Sequence, residues 1–220
     1  MEAFPHSRLG FIYQNWCRQL FTHHPQYKIL ADEVAVQGEE RTIGAIDFIL
    51  RNETTKKVEH WEVAVKFYLY HNGEWLGPNA KDTLSRKLSH MLEQQLPLSK
   101  SSVFVESHPN WVPDSHHLLM QGRLYRNPHQ QDLSWSHPSG LMVNPECVSG
   151  LWCYQHQAKG LELAPLDKKQ WLIGHETKPN KYYPMLQHVL TRPMHGEDRN
   201  GDFWFVVPDG WPDSCEKIKP

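Results

Sequence analysis

Apolar residues recur along the N-terminal half of the chain with two different periods. Over residues 8–23 they follow the helical spacing i, i+3, i+4, i+7, i+8 and i+11, which predicts a first helix. The positions on this face are Leu9, Ile12, Tyr13, Trp16, Cys17 and Leu20. Shorter runs rich in Val, Ile and aromatic residues predict strands within residues 27–36, 41–50 and 60–70.

A second helix is predicted over residues 82–96, because an apolar stripe of helical period ends there just before Pro97. A strand predicted over residues 102–105 completes the order α-β-β-β-α-β. This order predicts an α/β protein whose mixed sheet is flanked by helices.

The second half of the chain has a different character, since Pro, Trp, Gly and His interrupt its apolar runs. Strands are expected near residues 117–125, 148–154 and 203–207. We therefore predict a core over residues 1–107 and a Trp- and Pro-rich α+β extension over residues 108–220, packed on that core.

Composition narrows the range of functions. The 220 residues include 23 Lys and Arg against 25 Asp and Glu, for a net charge of −2. Near-neutrality excludes a tight, sequence-blind coat on nucleic acid. There is no apolar run of about 18 residues, so no membrane span is expected, and no Gly-rich phosphate loop, so no dinucleotide cofactor is expected. Four cysteines without a CxxC pair, and no signal peptide, predict reduced thiols and a cytoplasmic location.

Two carboxylates stand out on the predicted strands. Asp47 shares a strand face with the apolar residues Ile43, Ala45 and Ile49, which would cover it. A turn centred within residues 52–57 would place Glu62 directly opposite Asp47, with Cβ atoms about 5 Å apart. Like charges at that spacing favour a cation between them, and two carboxylates with a carbonyl and waters typically hold Mg²⁺. The alternative is a solvated sheet face on which both side chains point to water.

Polar residues near the pair extend the candidate site. Lys66 lies on the same strand face as Glu62, about 13 Å along the strand. Gln95 falls in the middle of the apolar stripe of the second helix, so its amide either satisfies carbonyls at the helix end or reaches the site. Gln14 lies on the flank of the first helix, and Lys87 belongs to the one chain segment with a basic excess.

The order α-β-β-β-α-β, with Gly44-Ala45-Ile46-Asp47-Phe48-Ile49 before a turn and Glu62 on the next strand, resembles the PD-(D/E)xK nuclease superfamily. More narrowly, the chain resembles an uncharacterised bacterial family, domain of unknown function 1853, over nearly its whole length. The stretches that carry this likeness are Arg8-Leu9-Gly10, Arg41-Thr42-Ile43-Gly44, Glu62-Val63-Ala64-Val65-Lys66-Phe67-Tyr68-Leu69, Trp75-Leu76-Gly77-Pro78, Gln95-Leu96 and Phe205-Val206-Val207-Pro208-Asp209.

The resemblance implies a restriction-endonuclease-like core with a metal-dependent phosphodiesterase site. Asp47 and Glu62 would bind Mg²⁺ or Mn²⁺, and Lys66 would orient the attacking water and stabilise developing charge. The superfamily usually places this lysine two residues after the acid, where Ala64 stands, so Lys66 would substitute from farther along the strand. Gln14 takes the place of an acid common on the first helix.

Two hypotheses follow for the function. The first is a Mg²⁺-dependent nuclease that acts on DNA or RNA. The second is a degenerate nuclease fold that binds nucleic acid or a protein partner without cleaving it. A structural protein that uses the scaffold for something unrelated is a third reading.

Overall fold

The computed structural model describes residues 9–38, 40–130, 143–187 and 189–213. Its α-helices are α1 (Leu9–His23), α2 (Leu84–His90) and α3 (Ser102–Ser107). Its strands are β1 (Tyr27–Gln37), β2 (Thr42–Asn52), β3 (Val58–His71), β4 (Glu74–Leu76), β5 (Ser115–Arg126), β6 (Val148–Tyr154), β7 (Glu162–Pro165), β8 (Tyr183–Pro184), β9 (Met194–Glu197) and β10 (Phe203–Val207). The protein is therefore of the mixed α/β class, as predicted.

The described chain divides into two compact units that are discontinuous in sequence. The first comprises the chain as far as Val65 together with Leu88–Gln121, and the second comprises Lys66–Lys87 and the chain from Gly122. The expected boundary at residue 107 falls within the first unit.

The first unit contains β1, β2 and the first parts of β3 and β5, and these four strands are neighbours in that order. β1 and β2 pair antiparallel along nearly their whole length, and β2 pairs antiparallel with the start of β3. One cluster of core residues in this unit contains Val36, Ile46, Ile49 and Phe104. The predicted first helix and the three predicted strands that follow it are confirmed; all three strands end one or two residues later than predicted, and β3 also begins two residues earlier.

Helix α1 buries a narrower stripe than its sequence suggests. The buried residues are Tyr13, Cys17 and Phe21, at i, i+4 and i+8, whereas Trp16 and Leu20 are 37% and 55% exposed. Phe21, which the predicted face did not include, packs edge-on against Tyr27, Phe48 and Trp61. The buried stripe is therefore rotated away from the predicted one.

The prediction of a strand over residues 102–105 is wrong, because this segment forms helix α3. The β-branched run Val103-Phe104-Val105 suggested a strand. Ser101, however, has extended backbone angles and its hydroxyl accepts a hydrogen bond from the Phe104 N–H, which is a helix N-cap. The cap and the burial of Phe104 in the core outweigh the strand propensity.

The second predicted helix is broken into three pieces. α2 begins at Leu84 and is followed by a π-helical turn, Met91–Gln95, and a 3₁₀ turn, Leu96–Lys100. A π-helical turn inserts one residue into a helix and rotates the side chains that follow it. The turn therefore decides where Gln95 points.

The second unit contains a mixed sheet. β10 and β5 each run parallel to β6, whereas β10 with β9, β9 with β7 and β7 with β8 are antiparallel. The strands expected near residues 117–125, 148–154 and 203–207 are confirmed as β5, β6 and β10. No helix within the described residues has both the length and the hydrophobicity that a membrane crossing needs.

The core of the second unit buries a neutral histidine. His195 is 3% exposed, stacks on Phe205 with ring centroids 4.2 Å apart, and has its Nε2 2.8 Å from the Tyr125 hydroxyl. Burial lowers the pKa of His195 to about 3, and the nearby Arg123 charge adds to this effect. The imidazole is therefore uncharged in the folded protein at neutral pH.

This histidine predicts a loss of stability in acid. The unfolded chain binds a proton at His195 near its ordinary pKa, about 6.5, and the folded chain binds it only near 3. The free energy of unfolding should therefore fall by about 1.4 kcal/mol per pH unit as the pH drops below about 6.5. Urea unfolding of wild type and His195→Gln between neutral and mildly acidic pH measures this. The free energy of unfolding should fall less steeply with decreasing pH in the variant than in wild type. Equal slopes would contradict a buried, neutral His195. The exposed His129→Gln serves as control.

Candidate functional site

The predicted pairing of β2 with β3 is confirmed and brings the two candidate carboxylates together. The ladder runs from Arg51 opposite Val58 to Phe48 opposite Trp61. Asp47 and Glu62 are the next residues in this register. Asp47 is half-buried, and Glu62 is only 1% exposed. Of the two apolar neighbours expected to cover Asp47, Ile49 is fully buried and Ile43 is 46% exposed.

Beyond the last backbone pair of the ladder, the two carboxylates accept backbone N–H groups. The Val63 N–H donates to Asp47 Oδ2 at 2.8 Å, and the Asp47 N–H donates to Glu62 Oε1 at 3.4 Å. Each carboxylate thus accepts a backbone hydrogen of the opposite strand, at the point where a ladder carbonyl would otherwise do so. The two hydrogen bonds thus tie each carboxylate to the backbone of the opposite strand.

Glu62 is also held by a buried histidine that the sequence analysis did not select. His60 is fully buried, and its Nε2 lies 2.9 Å from Glu62 Oε1. Its Nδ1 lies 2.9 Å from the hydroxyl of Ser99, which is fully buried as well, and that hydroxyl lies 3.0 Å from His116 Nε2. The signal was present in the sequence, since His60 lies two residues before Glu62 and shares its strand face.

Donor counting assigns the hydrogens along this chain of contacts. With Glu62 ionised, its oxygens only accept, so His60 Nε2 carries a hydrogen. In the neutral imidazole Nδ1 then accepts the Ser99 hydroxyl, and the Ser99 oxygen accepts from His116 Nε2. Burial lowers the pKa of His116, with Lys100 and His60 adding to the effect, which favours its neutral form. The hydrogen bonds run in one direction, from His116 to Glu62.

The Ser99, His60 and Glu62 contacts have the distances of a Ser-His-acid triad, but they do not form a nucleophilic site. Ser99 is 0% exposed, and its hydroxyl lies between two imidazoles. A nucleophile must reach a substrate carbonyl, which this arrangement prevents. The network therefore supports Glu62 and does not perform acyl transfer.

Two glutamine amides complete the surroundings of the carboxylates. Gln14 Nε2, from α1, lies 3.3 Å from Asp47 Oδ1. Gln95 Nε2 lies 3.2 Å from Glu62 Oε2 and 3.2 Å from the Ala45 carbonyl oxygen. The interpretation that Gln95 reaches the site is therefore supported by its contacts, and the flank position of Gln14 places it at Asp47.

A glycine allows the segment that carries Gln95 and Ser99 to lie close to β2. A Cβ atom on Gly44 would stand 2.5 Å from Leu98 Cδ1. Leu98 lies between the two functional side chains, in the 3₁₀ turn Leu96–Lys100. The absence of a side chain at Gly44 thus lets Gln95 reach the neighbouring Ala45 carbonyl.

The field of Asp47 reaches a buried thiol on α1. Burial raises the pKa of Cys17, and the Asp47 charge adds to the rise. Cys17 is 3% exposed. It remains a protonated, packed side chain beside the carboxylates at neutral pH.

The remaining predicted residues belong to the second unit. Lys66 Nζ lies 2.6 Å from Asp82 Oδ2, and the Tyr68 hydroxyl donates to the same oxygen at 3.2 Å. The Lys66 and Asp82 side chains are each about one-third exposed. Lys87 is half-buried on α2. The roles predicted for Lys66 and Lys87 stay predictions.

The donors at the carboxylate pair suit a hard divalent cation. Among the described residues, no three His, Cys, Asp or Glu side chains form a metal-binding group. Mg²⁺, however, is commonly held by one or two carboxylates, with waters and substrate oxygens completing its shell. Asp47 Oδ1 and Glu62 Oε2 each meet a neutral amide at 3.3 and 3.2 Å, longer than an ordinary hydrogen bond of about 2.9 Å. A cation that displaced these amides would lose little hydrogen-bond energy.

The fold and the site together define a mixed α/β protein with a half-buried and a buried carboxylate joined across two antiparallel strands. Comparison with protein-family models gives the family: residues 1–207 match the model described as Domain of unknown function (DUF1853), and the chain belongs to that family. Neither the search of curated proteins nor the search of solved structures finds a match.

Removal of His60 tests whether Glu62 is a compensated buried charge. His60→Leu should lower the free energy of unfolding by about 1.5–3 kcal/mol, because it removes a hydrogen bond from a buried carboxylate. Adding Glu62→Gln to this variant should recover much of the loss, because no charge remains to be compensated. Urea unfolding at neutral pH measures both. A cost below about 1 kcal/mol for His60→Leu, the level of an ordinary hydrogen bond, would contradict the account.

Proposed function

We propose that the protein is a nuclease of the PD-(D/E)xK superfamily that hydrolyses phosphodiester bonds of DNA or RNA with Mg²⁺ or Mn²⁺. The observation that carries the proposal is that, at the end of the β2–β3 ladder, Asp47 accepts the Val63 N–H and Glu62 accepts the Asp47 N–H. The register that the sequence predicts for these two acids is the one that β2 and β3 adopt.

The order of elements supports the same proposal. α1, β1, β2, β3, α2 and β5 follow one another in the sequence of the α-β-β-β-α-β pattern, with β4 and α3 as additions. Strands β1, β2, β3 and β5 are neighbours in that order. β5 thus takes the place of the strand that was expected over residues 102–105.

In this proposal Asp47 and Glu62 hold the cation, and the Ala45 carbonyl, which shares the Gln95 amide with Glu62, is a backbone oxygen that could join them. The bound cation would polarise the phosphate and lower the pKa of its water. His60 keeps Glu62 Oε1 engaged, so that Oε2 is the oxygen offered on the other side. Gln14 and Gln95 occupy those offered oxygens with amide hydrogens until a cation displaces them.

A second candidate is a nuclease fold that binds without cleaving. Two observations favour it: the Lys66 amine forms an ion pair with Asp82, and Glu62 is almost wholly enclosed. The lysine that would stabilise developing charge therefore already has a carboxylate partner. The partner of this second candidate would be a nucleic acid or another protein. A cytoplasmic location and a bacterial origin are part of the proposal and follow from the cysteines and from the resemblance.

Titration with Mn²⁺ tests the cation site. Wild type should bind Mn²⁺ in a calorimetric titration near neutral pH, and Asp47→Asn combined with Glu62→Gln should weaken binding at least tenfold, because both charges are lost. Glu33→Gln removes an exposed carboxylate of the same unit and is the matched control. Binding of equal strength in wild type and the double variant would overturn the proposed site, and so would absence of binding in wild type.

The role predicted for Lys66 requires a separate pair of variants. Lys66→Met should leave Mn²⁺ affinity unchanged and lower the rate of DNA cleavage by about 10²-fold, the usual cost of removing one charge-stabilising group. Asp82→Asn breaks the same ion pair but keeps the lysine, so it should retain cleavage. Both variants should fold, because an ion pair this exposed contributes at most about 1 kcal/mol.

The cleavage assay also separates the two candidate functions. If wild type binds Mn²⁺ and DNA but cuts neither single-stranded nor duplex substrates, the non-cleaving alternative holds. If Lys66→Met cuts as fast as wild type, Lys66 has no catalytic role.

A further inference from the structure

Two exposed cations face each other on β1 and β2. Lys28 is the direct cross-strand partner of Arg51, and both are exposed. Directly opposed residues have Cβ atoms about 5 Å apart, and like charges at that spacing destabilise a sheet. The repulsion between the two charges therefore lowers the free energy of unfolding unless an anion lies over them.

The turn that follows β2 adds two more cations. Lys56 and Lys57 are exposed, and with Lys28 and Arg51 they form a surface that we call the basic hairpin. The acidic groups that face it are Glu53, which pairs with Lys56 at 2.7 Å, and Asp114, whose carboxylate accepts the Val58 N–H. The local balance is therefore positive, although the whole chain carries −2.

The field of these cations is felt by their neighbour. The Lys56 ammonium holds the pKa of the Glu53 carboxyl below its usual range, and Arg51 and Lys28 contribute to the same effect. Charges that come from β1, from β2 and from the turn thus act on one carboxylate. They form one cluster and not a set of separate surface lysines.

The turn that bears the cluster is held in place by Asn52. This residue is 6% exposed, its side chain accepts the N–H groups of Thr54 and Thr55, and it donates to Glu59 at 2.8 Å. A rigid surface loses less entropy when it binds a ligand than a mobile one does. The backbone that carries the basic hairpin is therefore suited to repeated anionic groups at fixed spacing.

The basic hairpin lies on the same strand face as the candidate site. Arg51 is four residues from Asp47 on β2, so the two side chains share a face and their Cα atoms are about 13 Å apart along the strand. Ile49 lies between them on this face and is fully buried, so the face itself is not open to a nucleic-acid strand over this distance.

We propose that the basic hairpin binds the phosphodiester backbone of the nucleic acid on which Asp47 and Glu62 would act. The choice of nucleic acid over other polyanions rests on the proposed function. The contacts would be electrostatic and would position the strand without reading its sequence.

Fluorescence anisotropy with labelled DNA, single-stranded and duplex, tests the inference in EDTA, where no cation is bound and no cleavage occurs. The test variant is Lys28→Gln combined with Arg51→Gln. The matched control, Lys168→Gln with Lys169→Gln, removes the same charge from an exposed turn of the second unit. The test variant should bind duplex DNA at least tenfold more weakly than wild type, and its slope of log affinity against log salt should be smaller by about two.

The folding of the test variant can be checked independently. Its Tm should equal or exceed that of wild type, because the substitution removes a repulsion between opposed charges. The inference is overturned if wild type does not bind DNA, if the test variant binds as tightly as wild type, or if the control loses as much affinity as the test variant. If Lys28 served only to protect an edge strand from aggregation, the test variant would bind DNA as tightly as wild type.

The outcome is distinguishable from that of the cation titration. Loss of DNA affinity in the test variant, with no Mn²⁺ binding in wild type, would support the basic hairpin and reject the proposed nuclease site. Mn²⁺ binding in wild type without DNA binding would support the proposed cation site and reject the inference about the basic hairpin. Asp47→Asn combined with Glu62→Gln should bind DNA in EDTA at least as tightly as wild type, since it removes two negative charges.

Discussion

The structure of the first unit depends on how it buries one carboxylate. Glu62 is 1% exposed on β3, and an enclosed carboxylate costs several kcal/mol unless hydrogen bonds compensate it. His60 provides the strongest contact, at 2.9 Å to Oε1, and Gln95 meets the other oxygen at 3.2 Å. The positions of the neighbouring elements follow from the need to supply these two groups.

That need explains features that otherwise look irregular. The π-helical turn at Met91–Gln95 directs Gln95 to the sheet, and the 3₁₀ turn that follows brings Ser99 to His60. Gly44 leaves the space that lets this segment approach β2. The β2–β3 ladder stops at Phe48, where the carboxylates themselves take over the backbone hydrogens. The result is a pair of acids whose inner oxygens are tied to the fold and whose outer oxygens face neutral amides.

The pairing of the two acids could be predicted from the sequence because it depends on two local features. Strand periodicity places Asp47 and Glu62 on their faces, and the length of the turn at residues 52–57 sets the register. Ser99, which is 39 residues from its partner His60, reaches it only through tertiary packing, so no periodicity reveals the contact. The error at α3 has a different cause, since a single Ser101 cap outweighed three residues of strand propensity. The partner of Lys66 also depends on tertiary structure, because Asp82 precedes a helix on another part of the chain.

The central claim is that Asp47 and Glu62 form a divalent-cation site. The most direct measurement is a crystal structure of the protein grown with Mn²⁺, with an anomalous difference map recorded at the manganese edge. The account predicts a manganese peak bonded to Asp47 Oδ1 and Glu62 Oε2, with the Gln14 and Gln95 amides moved away from those oxygens. A map with no peak at this pair, and with both amides still on the carboxylates, would contradict it.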